Sequence, residues 1–293
     1  MRNIFNISED TISYRAPNGE IRYWYHEENN NSDKLLITIG DSWTWGDHLG
    51  KIDWNNNYDD PVRLQSIYGK QLSRYLNSDW VLIANPGCSN YWMLDKLKSI
   101  SLQIKELKKN YKNIYIVVTL TEDLRECSYH SEWQHVADYY SIMVNSINLE
   151  DFLTKLEKKM FLEFKTIFDS LKVTCKITRA FTDTWPNNRD CMKNYLLEKT
   201  WCDVFQDEIK FDRYYRVVPF IGQMSILPLN DIYISKLQGA QADIFKNNFI
   251  NLEEKLRARW NFLGESKYNL KGSTYHPSID GHKIFADYLY KSL

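Results

Sequence analysis

Two segments near opposite ends of the chain carry the residue types that nucleophilic acyl transfer requires. The first is Gly40-Asp41-Ser42-Trp43-Thr44-Trp45-Gly46-Asp47, which closes the apolar run KLLITIG. Gly40 permits a sharp turn, so Asp41 and Ser42 fall where the next element begins and backbone N–H groups have no intrahelical partner. A serine there is presented outward, and its own N–H can point at a developing oxyanion. The same serine would also serve as a plain helix cap, so its surroundings must decide. The second segment is Tyr275-His276-Pro277-Ser278-Ile279-Asp280-Gly281-His282. Proline confines the histidine before it to extended backbone, from which an imidazole can project as a general base.

Two further loops carry unusual residues. Ala84-Asn85-Pro86-Gly87-Cys88-Ser89-Asn90 contains a glycine that lets the backbone approach a bound group, although a βα turn capped by Ser89 or Asn90 has the same composition. Thr119-Leu120-Thr121-Glu122-Asp123-Leu124-Arg125 follows another apolar run.

The elements that must position these loops are legible as four short apolar runs: KLLITIG, VLIA, IYIVVTL and VTCKITRAF. Each is too short for a helix and too uniformly apolar for a half-exposed strand, so each reads as a strand buried on both faces. Between them lie helical patterns. Leu94, Leu97, Ile100, Ile104 and Leu107 recur at steps of three and four, and residues 148–172 show a second such stripe. Strands alternating with helices predict an open, mostly parallel α/β sheet, in which ligands bind beyond the carboxyl ends of the strands. All three loops sit at such ends. The last segment, from Ser278, predicts a helix with Ile284, Phe285, Tyr288 and Leu289 on one face. Residues 1–33 read as an N-terminal hairpin extension turning at Pro17-Asn18-Gly19, followed by a polar linker. Residues 34–293 read as the main domain, with an aromatic-rich insertion at about 182–262 that includes a helical pattern near 240–258.

No G-x-S-x-G elbow is present. With the serine at the end of the first strand and the histidine before the last helix, the chain instead resembles the SGNH/GDSL hydrolase family. Gly40-Asp41-Ser42 matches its first block, Pro86-Gly87-Cys88-Ser89-Asn90 its second, and His276-Pro277-Ser278 with Gly281-His282 its fifth. The resemblance implies a flavodoxin-like three-layer α/β/α sandwich and an esterase that needs no cofactor or metal. Ser42 would attack an acyl carbonyl, His276 would take its proton, and the N–H groups of Ser42 and Gly87 would bind the oxyanion. The resemblance is nearest to phage- and bacteria-encoded members acting on esters of carbohydrates. It therefore implies removal of an acyl group, acetyl above all, from a carbohydrate or other small ester. Trp185, Trp201 and Trp260 of the insertion would then offer sugar-stacking surfaces.

Two positions depart from the family. Where it has an asparagine as a further oxyanion donor, this chain has Thr121-Glu122-Asp123. A charged carboxylate cannot donate, so either the Thr121 hydroxyl substitutes, or Asn90 reaches in, or the hole has two donors only. Glu122 is free to pair with Arg125. Three residues before the histidine, where the family has aspartate, stands Ser273, followed by Thr274. His276 would then be oriented by a hydroxyl or carbonyl as a Ser–His dyad, by Asp280, or by a third member supplied from another loop. His282 is expected to pack on the last helix. These departures motivate a second reading, a catalytically degenerate scaffold that binds glycan or lipid. A thioesterase or lysophospholipase would share the chemistry and differ in its pocket.

The composition removes other classes. Lys and Arg number 37 against 38 Asp and Glu, so no basic excess points to nucleic acid. Five scattered cysteines without a Cys-x-x-Cys imply no disulfide framework. They show no metal-ligand spacing with the six histidines. A GxxxxGK[ST] phosphate loop is missing. Without an apolar stretch suited to a signal peptide or a membrane span, the expectation is a soluble, cytoplasmic protein with no membrane partner.

Overall fold

The computed structural model describes residues 14–15, 21–22, 25–29, 32–47, 49–50, 60–86, 88–121, 149–180, 186–204 and 276–293. Three short strands come first, β1 (Tyr14–Arg15), β2 (Ile21–Arg22) and β3 (Tyr25–Glu27). The four apolar runs follow as β4 (Lys34–Gly40), β5 (Asp79–Ala84), β6 (Asn113–Leu120) and β7 (Thr174–Arg179). The described helices are α1 (Ser42–Trp45), α2 (Pro61–Ser66), α3 (Tyr68–Leu76), α4 (Asn90–Ser101), α5 (Ile104–Asn110), α6 (Leu149–Leu171), α7 (Pro186–Met192), α8 (Trp201–Val204) and α9 (Ile279–Ser292).

The main sheet has the order β3-β5-β4-β6-β7. The four long strands are parallel, and β3 is an antiparallel edge against β5. This is the mostly parallel α/β sheet predicted from the runs, with flavodoxin-like strand order. The chain goes from β4 to one neighbour, β5, and then crosses to the other, β6. The strand order therefore switches direction at the carboxyl end of β4, the place where such sheets bind ligands.

Side chains alternate across the sheet with the period of two that a strand imposes. On one face Leu35, Ile37 and Ile39 of β4 join Val81 and Ile83 of β5 and Ile116 and Val118 of β6. They pack under Leu94 and Leu97 of α4, Leu107 of α5, and Phe161 and Phe164 of α6. On the other face Leu36, Leu82 and Val117 pack against Leu64 of α2, Ile67, Tyr68 and Leu72 around α3, and Phe285 and Leu289 of α9. Covering both faces gives three layers and explains why these strands read as uninterrupted apolar runs.

Three features differ from the sequence reading. Within residues 1–33, Tyr14–Arg15 and Ile21–Arg22 pair as the expected hairpin, but Tyr25–Glu27 extends the main sheet. It does so through the register Tyr25–Leu82, with the Tyr25 ring 5.6 Å from Trp80. The stripe from Leu94 to Leu107 belongs to two helices that break at Leu102 and Gln103. Leu97, Ile100, Ile104 and Leu107 stay buried across the break, which is why the periodicity survives it. Finally, Trp201 of the aromatic-rich region is fully buried. It stacks on Phe285 at 4.2 Å and meets Trp43 and Tyr68 edge-on. The expectation of a sugar-stacking surface there is corrected: the ring is core, and its apolar area is already used within the protein. Trp185, Trp260, the 240–258 pattern and Pro17-Asn18-Gly19 lie outside the described residues. Among the described residues no helix is long and apolar enough to cross a membrane.

Candidate active site

Each position of the first loop has a local physical reason. Gly40 ends β4 directly beneath Thr44, and a Cβ there would come within 1.9 Å of the Thr44 hydroxyl oxygen, so only glycine fits. Asp41, not Ser42, caps α1: its Oδ1 accepts the Trp43 N–H at 3.0 Å. The cap reading of Ser42 is thereby set aside, and the serine is the first residue inside the helical turn. Its N–H lies at the open amino end, where donors have no intrahelical partner. Gly46 closes the turn in the left-handed conformation, φ 77°. The N–H groups of Gly46 and Asp47 both donate to the Ser42 carbonyl, at 3.0 and 2.9 Å. The chain reversal at Gly46 therefore returns Asp47 to the base of Ser42.

The second loop folds onto the first. The Asn85 N–H donates to the Gly40 carbonyl at 3.1 Å, and the Cys88 thiol donates to the same carbonyl at 3.4 Å. Ser89 caps α4 by accepting the Trp92 N–H at 3.2 Å, the ordinary helix-start role. Asn90 ties the second loop to the third. Its Nδ2 donates to the Thr121 carbonyl at 3.1 Å, and its Oδ1 accepts the Thr121 N–H at 2.8 Å. Thus both the Asn90 amide and the Thr121 backbone amide are engaged with each other, in a clamp that holds two strand-end loops in register.

His276 precedes α9, whose cap is Ser278, accepting the Gly281 N–H at 3.2 Å. Its Nε2 lies 3.6 Å from Oδ2 of Asp47, and both side chains are almost completely buried. The structure thus brings the histidine of the last segment to the loop that carries Ser42. Ser42 is itself only 7% exposed. Asp280, considered above as a third member, is exposed in the first turn of α9, where a carboxylate suits the helix dipole. The carboxylate that meets the imidazole is Asp47. Sequence reasoning passed over this residue; the signal for it was its place one residue past the left-handed glycine. Gly87, Ser273, Thr274, Glu122 and Arg125 lie outside the described residues.

His282 takes the packing role expected of it. It is fully buried, stacked with Tyr68 and edge-on to Trp201. Its Nδ1 accepts the Tyr68 N–H at 3.1 Å, so the proton of the neutral ring sits on Nε2. Burial first, then the charges of His276 and Arg63, push its pKa down to about 3. Arg63, also fully buried, lies 3.9 Å over the Trp45 ring and donates to the Trp45 carbonyl at 2.6 Å. Tyr68 is held up at about 12, chiefly by burial, and its hydroxyl is hydrogen-bonded to the Thr119 hydroxyl at 3.0 Å. These contacts tie α2, α3 and α9 to the floor of the site.

No family model and no curated protein matches the chain. Among solved structures it is similar to a carbohydrate esterase whose active site displays divergent catalytic and non-catalytic binding functions, at 12% identity and a TM-score of 0.39, over 89% of this chain and 64% of that one. It is also similar to a carbohydrate esterase family 2 enzyme plus carbohydrate-binding domain from Corynascus thermopiles (Myceliophthora fergusii), at 14% identity and a TM-score of 0.34, over 88% of this chain and 65% of that one. The chain spans just under two thirds of the length of either structure.

Proposed function

We propose that the protein is a serine ester hydrolase that removes a small acyl group, acetyl above all, from a carbohydrate or other small alcohol. Ser42 is the nucleophile and His276 the base. One observation carries the reading: His276 is set against Asp47, and Asp47 is bonded through its own N–H to the carbonyl of Ser42. What supports the pairing is this contact between His276 and the loop that carries Ser42, where Asp41 has relieved the serine of capping.

In the reaction, Ser42 Oγ bonds to the acyl carbon while its proton passes to His276. The tetrahedral oxyanion faces the Ser42 N–H, with Gly87 and Thr121 as further candidate donors. Collapse breaks the ester C–O bond, and the alcohol leaves with the proton from His276. Water then attacks the acyl-serine, giving up its proton to His276, and the acid departs as Ser42 regains a proton. No cofactor enters these steps.

The test is covalent labelling with a fluorophosphonate, located by mass spectrometry, beside hydrolysis of p-nitrophenyl acetate. The expected result is a single adduct on Ser42, absent from Ser42→Ala, and hydrolysis lost in the same variant. Hydrolysis by Ser42→Ala at the parental rate would remove the reading. A protein that binds acetylated glycans but never labels is a binding module on this scaffold.

A further inference from the structure

We infer that Asp47 is the positioning residue for His276, a carboxylate that enters the site from the nucleophile's own loop. The inference rests on Ser42 and His276 being the nucleophile and the base. Asp47 Oδ2 stands 3.6 Å from His276 Nε2, and Asp47 is 4% exposed. That separation exceeds a hydrogen bond but lies within ion-pair range. Such contacts are often long before substrate binds and tighten as charge develops. When His276 takes the serine proton it becomes an imidazolium, and a buried carboxylate beside it stabilises that charge. Facing one ring nitrogen, the same carboxylate favours the tautomer that carries its proton there. The other nitrogen is then left to accept from the serine.

The backbone makes Asp47 a rigid support. The left-handed Gly46 and the bond from the Asp47 N–H to the Ser42 carbonyl fix the carboxylate relative to the nucleophile. Nucleophile and supporting acid thus belong to one capped turn, and only the base arrives from elsewhere. The position three residues before the histidine is a serine, so the histidine's own segment supplies no acid there.

His276 also interacts electrostatically with His282 of α9, which in turn feels Arg63 of α2. His282 is neutral above about pH 3, and Arg63 is cationic throughout. Both groups are common to the parent and the position-47 variants, so their contributions cancel in the comparison.

The experiment is the rate of fluorophosphonate labelling against pH, for the parent and for Asp47→Asn, Asp47→Ser and His276→Asn. In labelling, Ser42 Oγ bonds to phosphorus, fluoride leaves, and the serine proton passes to the base, so the rate reports the base without knowledge of the natural ester. For Asp47→Asn the expected plateau is about 10⁴-fold below the parent, the size of loss seen when the carboxylate behind a catalytic histidine is removed. The midpoint of the profile should also move to lower pH, because the neutral amide no longer favours the protonated ring. A merely structural role would lower the labelled fraction without moving the midpoint. Asp47→Ser removes the same charge with a smaller side chain and is read in the same way should the amide variant fail to fold. If the parent labels at Ser42 and His276→Asn does not, yet a folded charge-free variant labels at the parental rate and midpoint, the role of Asp47 is overturned while the nucleophile and base stand. A parent that does not label at Ser42 overturns both.

Discussion

Acidification from pH 7 to pH 5 should cost this fold about 2 kcal/mol through His282 alone. In the native state the ring is fully buried, accepts the Tyr68 N–H on Nδ1, and titrates only at about 3. In the unfolded chain it titrates near 6.5. The unfolded state therefore binds the extra proton between these values, and stability must rise with pH across that window. The contribution is complete above about pH 6.5 and is lost progressively as pH falls toward 3. Each pH unit within the window corresponds to about 1.4 kcal/mol, and the partial titration at its upper end leaves about 2 kcal/mol between pH 7 and pH 5. The assay is urea unfolding at pH 7, 6 and 5 for the parent and for His282→Asn, whose amide oxygen can take over the Tyr68 N–H but carries no titrating group. The variant should be less stable at pH 7, because it fills less of the site between Tyr68 and Trp201. Its stability should nonetheless fall less steeply with acid, by that same margin. His26, whose pKa burial also lowers, is common to both proteins and cancels in the difference. Parallel pH dependences in parent and variant would refute the argument.

Two predictions concern the rest of the scaffold. Glu157 of α6 and Arg179 at the end of β7 form a fully buried ion pair, and Asn188 of α7 donates to the other Glu157 oxygen at 2.8 Å. Glu157→Gln leaves a buried guanidinium without its counter-charge and should cost roughly 3–5 kcal/mol in chemical denaturation. Trp201→Ala empties the space between Phe285, Tyr68 and Trp43 and should cost roughly 3–5 kcal/mol. Its effect on hydrolysis should follow the loss of folded protein, with KM unchanged for the molecules that remain folded.

The four parallel strands were readable from the sequence because burial on both faces writes itself as an unbroken apolar run. The α/β layering followed from their alternation with helical stripes. The first loop was readable in part: the turn at Gly40 is a local requirement of the strand end. Whether Ser42 or Asp41 caps the helix, and the left-handed reversal at Gly46, were settled only in the structure. The cap at Ser278 followed from the same short-range logic as the turn at Gly40.

Contacts between segments far apart in the chain were decided only by the tertiary structure. Asp47 looks like any polar loop residue until α9, held by His282 against the start of α3, carries His276 to within 3.6 Å of it. Trp201 has a composition that suits display on a surface as well as burial, and the choice fell to Phe285 and Tyr68, which come from α9 and α3. Tyr25–Glu27 was read as part of the hairpin, and its pairing with β5 was decided by the tertiary structure. Caps and turns are set by residues within a few positions of one another. The partner of a carboxylate or an aromatic ring is set by which distant surfaces the packed layers bring together.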